Sequence, residues 1–143
     1  MKTFCLTLIA AVFVVAPATA QEYARIKNRW TGNFLNIERG VVEVTPIKPG
    51  WHSAQWSVEE APGGSYRVIN RWTGCALHIE HGPVTCGEVE EGWHSAMWIE
   101  ENTQDGFTRI KNRWKGCYLN IEKGPVRCTQ IAPGWHSAMW TDE

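Results

Sequence analysis

The tryptophans are the residues best placed to do chemistry in this chain. There are nine in 143 residues, and they are three positions used three times. Trp30, Trp72 and Trp114 stand 42 residues apart, as do Trp51, Trp93 and Trp135, and again Trp56, Trp98 and Trp140. Members of the first set follow Arg29, Arg71 and Arg113; members of the second precede His52-Ser53, His94-Ser95 and His136-Ser137. An indole face stacks on the C–H face of a sugar ring, while Arg, His, Ser and Asn direct hydrogen bonds to hydroxyls. The same six indoles could equally close the ends of a barrel, with Arg stacked on Trp as a structural contact. Residue types alone leave both readings open. Trp56, Trp98 and Trp140 are read as core.

Other chemistries find less support. His52, His94 and His136 share one repeat position, and three imidazoles meeting on an axis can hold zinc, but nothing nearby supplies a fourth ligand. No metal and no cofactor are expected. Ser53 beside His52 is adjacency in sequence, not a triad, and no orienting acid is evident. The only aspartates are Asp105 and Asp142, in a linker and near the C-terminus. Catalysis needs an asymmetric constellation, so the chain is read as no enzyme.

The repeats that carry these residues run without insertion or deletion, over 23–64, 65–106 and 107–143. Copy one predicts four short strands, near 23–27, 34–38, 42–47 and 54–58. In the second, Leu35 and Ile37 face one way and Asn36 and Glu38 the other. In the fourth, Ala54, Trp56 and Val58 share a face. The turn Asn28–Gly32 suits an Asn that bonds its own backbone and a Gly at positive φ. Arg25, Arg67 and Arg109 are placed to pair with Glu38, Glu80 and Glu122 across the first hairpin of each copy. Twelve strands in three units that cannot each bury a face must close on one another, and closure removes sheet edges.

Composition and termini bound the function. A formal net charge of −1 argues against a nucleic-acid partner held by phosphate contacts. The copies differ: net +1 over 23–65, −5 over 66–106 and +3 over 107–143. Lys2, the apolar run Phe4–Ala16 and Ala18-Thr19-Ala20 read as a signal peptide over 1–20, leaving one domain over 21–143. The expected location is therefore secreted or periplasmic, with no membrane span. Cys5 goes with the leader, and the four remaining cysteines, Cys75, Cys86, Cys117 and Cys128, read as two disulfides.

The string N-x-x-x-G-C-x-L-x-I with a closing x-x-W resembles the ricin-type β-trefoil lectin repeat, N-x-x-S-G-x-C-L-D-V, a second Cys, then Q-x-W. The resemblance covers residues 21–143. It implies an all-β, pseudo-threefold β-trefoil and bridges within one repeat, Cys75–Cys86 and Cys117–Cys128. Copy one lacks both partners, having Asn33 and Val44 there. It also implies sugar contacts at Asn36, His78 and Asn120, where the family carries Asp. The Gln of Q-x-W maps onto Ala54, Ala96 and Ala138, and the stacking aromatic onto Val42, Val84 and Val126. With that carboxylate, amide and ring all replaced, the loop indoles are the substitute.

The expected function is thus an exported, non-catalytic lectin with up to three weak sites for glycans or a polysaccharide. The candidate contacts are Trp30, Trp72, Trp114, Trp51, Trp93, Trp135, His52, His94, His136, Asn36, His78 and Asn120. The alternative is a protein-binding trefoil, such as a protease inhibitor or adhesin subunit. Such inhibitors use one protruding loop, and no loop here is longer in one copy than in another.

Overall fold

The computed structural model describes residues 22–143, so the leader expected over 1–20 lies outside the described residues. Twelve strands follow in chain order: β1 Ile26–Asn28, β2 Phe34–Asn36, β3 Glu43–Thr45, β4 Trp56–Ala61, β5 Ser65–Asn70 and β6 Ala76–His78, then β7 Thr85–Gly87, β8 Trp98–Asn102, β9 Thr108–Asn112, β10 Tyr118–Asn120, β11 Arg127–Thr129 and β12 Trp140–Asp142. Six of them close a barrel. β4 pairs with β5, β8 with β9, and β12 with β1; single contacts join β5 to β8 and β9 to β12. The bridge between Ala24 and Trp56 completes the ring. Three hairpins, β2–β3, β6–β7 and β10–β11, cap it. This is a β-trefoil.

The core repeats with the sequence. Leu35, Leu77 and Leu119, Ile37, Ile79 and Ile121, and Trp56, Trp98 and Trp140 are all buried in one cluster. Each core indole satisfies its one donor: Nε1 of Trp56, Trp98 and Trp140 donates to the carbonyls of Leu35, Leu77 and Leu119 at 2.9, 2.9 and 3.1 Å. These bonds tie the barrel to its caps. Two bridges, Cys75–Cys86 and Cys117–Cys128, pin the second and third caps.

Two local expectations change. His52–Ala54 is a single 3-10 turn, so β4 starts at Trp56, and Val58 stands 56% exposed at the barrel mouth. Asn36, expected to share a face with Glu38, is buried beside Leu35, because β2 ends there and the chain turns. Among the described residues, no helix is long and apolar enough to cross a membrane.

Candidate functional site

The turn that carries each exposed indole is built by one asparagine. Asn28 Oδ1 accepts from the N–H groups of Trp30 and Thr31, at 2.9 and 3.3 Å. Gly32, at φ 76°, closes the turn by donating to the Asn28 carbonyl at 2.8 Å, a conformation that a Cβ would strain. The amide of the same Asn reaches the preceding repeat: Nδ2 of Asn70 donates to Ser53 O and that of Asn112 to Ser95 O, both at 3.0 Å. Asn28 does the same to Ser137 O, so the first repeat clamps onto the third. All three side chains are buried. The two Trp loops therefore meet, and the partners come from neighbouring repeats.

Two open clefts result. One, of about 400 Å³, is lined by Glu38, Gly50, Trp51, His52, Ser53 and Trp72. Its counterpart, of about 430 Å³, is lined by Glu122, Gly134, Trp135, His136, Ser137 and Trp30. Trp72 and Trp30 are 54% and 55% exposed, Trp51 and Trp135 41% and 47%. In each cleft a serine fixes the carboxylate: Ser53 Oγ donates to Glu38 Oε1 at 2.5 Å, and Ser137 Oγ to Glu122 Oε1 at 2.6 Å. Among the described residues, the other carboxylate oxygen of each has no hydrogen-bond donor. A cleft of this kind presents indole faces, an oriented acceptor and an imidazole together.

The middle copy keeps the joint and the Ser95–Glu80 bond, at 2.5 Å. Its cavity, of about 500 Å³, lies beside Glu80, Trp114, Lys115 and the Cys117–Cys128 bridge, and Trp93, His94 and Ser95 do not line it. Trp93 packs edge-on against His78 and His81, with centroids at 6.2 and 6.4 Å.

Several expected contacts lie elsewhere. Asn36 and Asn120 are buried in their own hairpins: their amides donate to Thr45 and Thr129 Oγ1, both at 2.8 Å, and their Oδ1 atoms accept from the N–H groups of Glu38 and Glu122. With that capacity used internally, they hold hairpins and do not line the clefts. His78 is buried too, and its Nδ1 accepts from Glu80 N–H at 3.1 Å. Burial first, then neighbouring His81, holds the His78 imidazole below its ordinary range, against a smaller opposing pull from Glu80.

The expected pairing of Arg25, Arg67 and Arg109 with Glu38, Glu80 and Glu122 does not form. Those guanidiniums donate to the carbonyls of Ile47, Glu91 and Ile131. Arg25 and Arg109 also lie over Phe34 and Tyr118 at 3.6 and 3.7 Å. Arg29 and Arg71 stack on Phe107 and Tyr23, not on the adjoining indoles, so the Arg–Trp stack is replaced by contacts with the inter-repeat segments. Among the described residues, no group of three or more His, Cys, Asp or Glu is arranged to hold a metal ion. Glu38, Glu80 and Glu122 are the cleft residues that strand alternation and ion-pair reasoning miss. Their signal was the matching Ser 15 residues on in every copy.

No family model matches the chain, and no curated protein does. Solved structures do. The chain is similar, at 32% identity and a TM-score of 0.77 over 84% of its length, to a GlcNAcα1-4Gal-releasing endo-β-galactosidase from Clostridium perfringens, of which it spans only 31%. It is similar at 19% identity and TM-score 0.72, over 87% of its length, to SeviL bound to an asialo-GM1 saccharide, spanning 98% of that chain. The Polyporus squamosus lectin, bound to Neu5Acα2-6Galβ1-4GlcNAc, matches at 18% identity and TM-score 0.71, over 88% of this chain and 50% of the lectin.

Proposed function

We propose that this protein is an exported, non-catalytic carbohydrate-binding protein whose sites are the clefts between adjacent repeats. One observation carries the reading: in two symmetry-related clefts, a pair of exposed indoles flanks a carboxylate whose other oxygen is already held by serine. A pyranose stacks its C–H face on Trp72 or Trp51, and its hydroxyls donate to the free oxygen of Glu38. His52 adds a directed hydrogen bond at the rim. Trp30, Trp135, Glu122 and His136 repeat the arrangement. The likeness to saccharide-bound trefoils supports the same reading at the level of the fold. Two disulfides and the leader-like sequence over 1–20 support export.

The test is a glycan-array screen of the folded chain, followed by tryptophan fluorescence titration with each hit. Binding that shifts indole emission and is lost in Trp51→Ala and Trp135→Ala supports the clefts. A folded protein that binds no glycan, or whose binding survives both substitutions, refutes them.

A further inference from the structure

We infer that the molecule is a bivalent glycan binder: the clefts at Trp51/Trp72 and Trp135/Trp30 take ligand, and the middle one, at Trp93/Trp114, is closed by its own side chains. The inference rests on the reading of the clefts as sugar sites and adds their number, the residues that set it and the kind of partner it suits.

Three substitutions within the middle copy act together. Where the other copies have Asn36 with Thr45 and Asn120 with Thr129, bonded at 2.8 Å, this copy has His78 with Gly87. The larger ring fits because residue 87 carries no side chain: a Cβ built on Gly87 would stand 3.2 Å from His78 Nε2. The His78 ring then reaches Trp93, and His81, which replaces Arg39 and Lys123, meets the same indole from another side. The two imidazoles lie edge to face at 6.0 Å, so the three rings form one cluster. Trp93 is half-buried, while Trp51 and Trp135 are exposed.

The opposite wall differs as well. Lys115 stands where the other copies have Thr31 and Thr73, and its Nζ lies 4.3 Å from the centre of the Trp114 ring. The ammonium lies over an indole face that a sugar would need, closer than Lys48 lies to Trp51 in an open cleft, at 5.9 Å. Trp114 itself stays 45% exposed, so closure rests on Trp93, whose indole the two imidazoles hold, with Lys115 crowding the opposite wall.

A bivalent protein suits a partner that presents the same sugar many times, a polysaccharide or a glycan-dense surface. Simultaneous engagement raises apparent affinity by about 10²–10⁴ over one cleft, with no new contact. Loss of either open cleft forfeits that gain.

The test is a titration of the 15N-labelled chain with a panel of methyl hexopyranosides and their 2-acetamido derivatives. Six loop indole N–H resonances are followed, and stoichiometry is measured by calorimetry. The expected result is two equivalents per chain, with Trp30, Trp51, Trp72 and Trp135 responding and Trp93 and Trp114 silent. Three equivalents, or response of all six indoles, overturns bivalency and leaves the lectin reading standing. Response of none to any sugar overturns both. The variant His78→Asn/His81→Arg/Gly87→Thr/Lys115→Thr copies the open clefts and is expected to raise the stoichiometry to three. If it folds and stays at two, the proposed closing residues are wrong. If it does not fold, the wild-type count still decides.

Discussion

Asn28 donates from Nδ2 to the carbonyl of Ser137 at 3.0 Å, across 109 positions of sequence. That bond joins the first repeat to the last and seats Trp30 beside Trp135. It is one of three equivalent joints, yet the other two, Asn70–Ser53 and Asn112–Ser95, each span 17 positions. Strand pairing across the same joint, β12 with β1, is equally non-local. One cleft thus exists only when the two ends of the chain have met.

Asn28→Ala leaves the Ser137 carbonyl and the Trp30 and Thr31 N–H groups without their partner, in a buried setting. The expected cost is about 2–4 kcal/mol, from orphaned polar groups and a small cavity. Urea unfolding measures it, and Asn28→Asp, which keeps the acceptor and loses the donor, should fall between. Asn28→Ala at wild-type stability would mean that the turn holds itself without its asparagine.

The repeat, the strand order and the core tryptophans were legible because duplication repeats any error-free pattern three times. Trp56, Trp98 and Trp140 sit at one invariant spacing, and the fold needs one buried indole per unit. The site was only half legible. Spacing finds the two Trp loops in each copy, but not that Trp72 faces Trp51 rather than Trp30. That follows from barrel hairpins that straddle repeat boundaries, β4–β5 and β8–β9, a property of closure and not of any local pattern. Asn36, expected to share a face with Glu38 and to contact sugar, is buried because period-two alternation holds only inside a strand, and β2 stops at that residue.

Trp98 measures how far the caps depend on the barrel. Its Nε1–H bond to the Leu77 carbonyl is buried, so Trp98→Phe removes a bond as well as volume. A loss of about 1–3 kcal/mol is expected for Phe, and about 3–5 kcal/mol for Ala. The check is thermal unfolding of both variants. If Phe matches wild type, the indole donor contributes nothing beyond its bulk.

His78 makes stability depend on pH in a direction opposite to the usual ion-paired histidine. Its folded-state affinity for a proton is lowered, so the unfolded chain takes up protons first as pH falls. The full contribution is present above the ordinary imidazole value and is lost progressively below it. Protonation would also set Nδ1–H against the Glu80 N–H that it now accepts. Glu100 and Asp142 act the other way: burial, and for Glu100 also Asp142, raises their carboxyls, so they favour folding as pH falls. Comparing wild type with His78→Asn/Gly87→Thr cancels that shared part. Wild type should lose more stability between pH 7.5 and pH 5, and equal losses would remove His78 as the cause.

The bridges are unequal in distribution, and this sets what reduction does. Cys75–Cys86 and Cys117–Cys128 each close an 11-residue span inside one cap, while the first cap holds its shape with none. Each bridge is expected to contribute about 2–3 kcal/mol on the loop-entropy account. Since no barrel strand pairing depends on them, the reduced chain should remain folded at 25 °C with a lower midpoint in urea. Far-UV circular dichroism with and without reductant tests this. Collapse of the whole fold on reduction would show that the caps, not the barrel, hold the molecule together.

Glu122 should govern affinity in the cleft that spans the chain ends. Its Oε1 is taken by Ser137, and the remaining oxygen is the strongest acceptor that the cleft offers. Glu122→Gln keeps the shape and the serine contact but replaces a charged acceptor with a neutral one. Hydrogen bonds to charged groups are worth about 1.5–3 kcal/mol against about 1 for neutral ones, so weakening of about tenfold is expected at that cleft. Glu38→Gln should do the same at the other open cleft and leave this one untouched. Glu80→Gln separates site from scaffold. It makes the same serine bond in the closed copy, so it should leave sugar affinity unchanged while perturbing stability as much as the other two. Site-resolved indole shifts during sugar titration read all three. Equal weakening by all three variants would mean that the carboxylates act on the fold and not on the ligand.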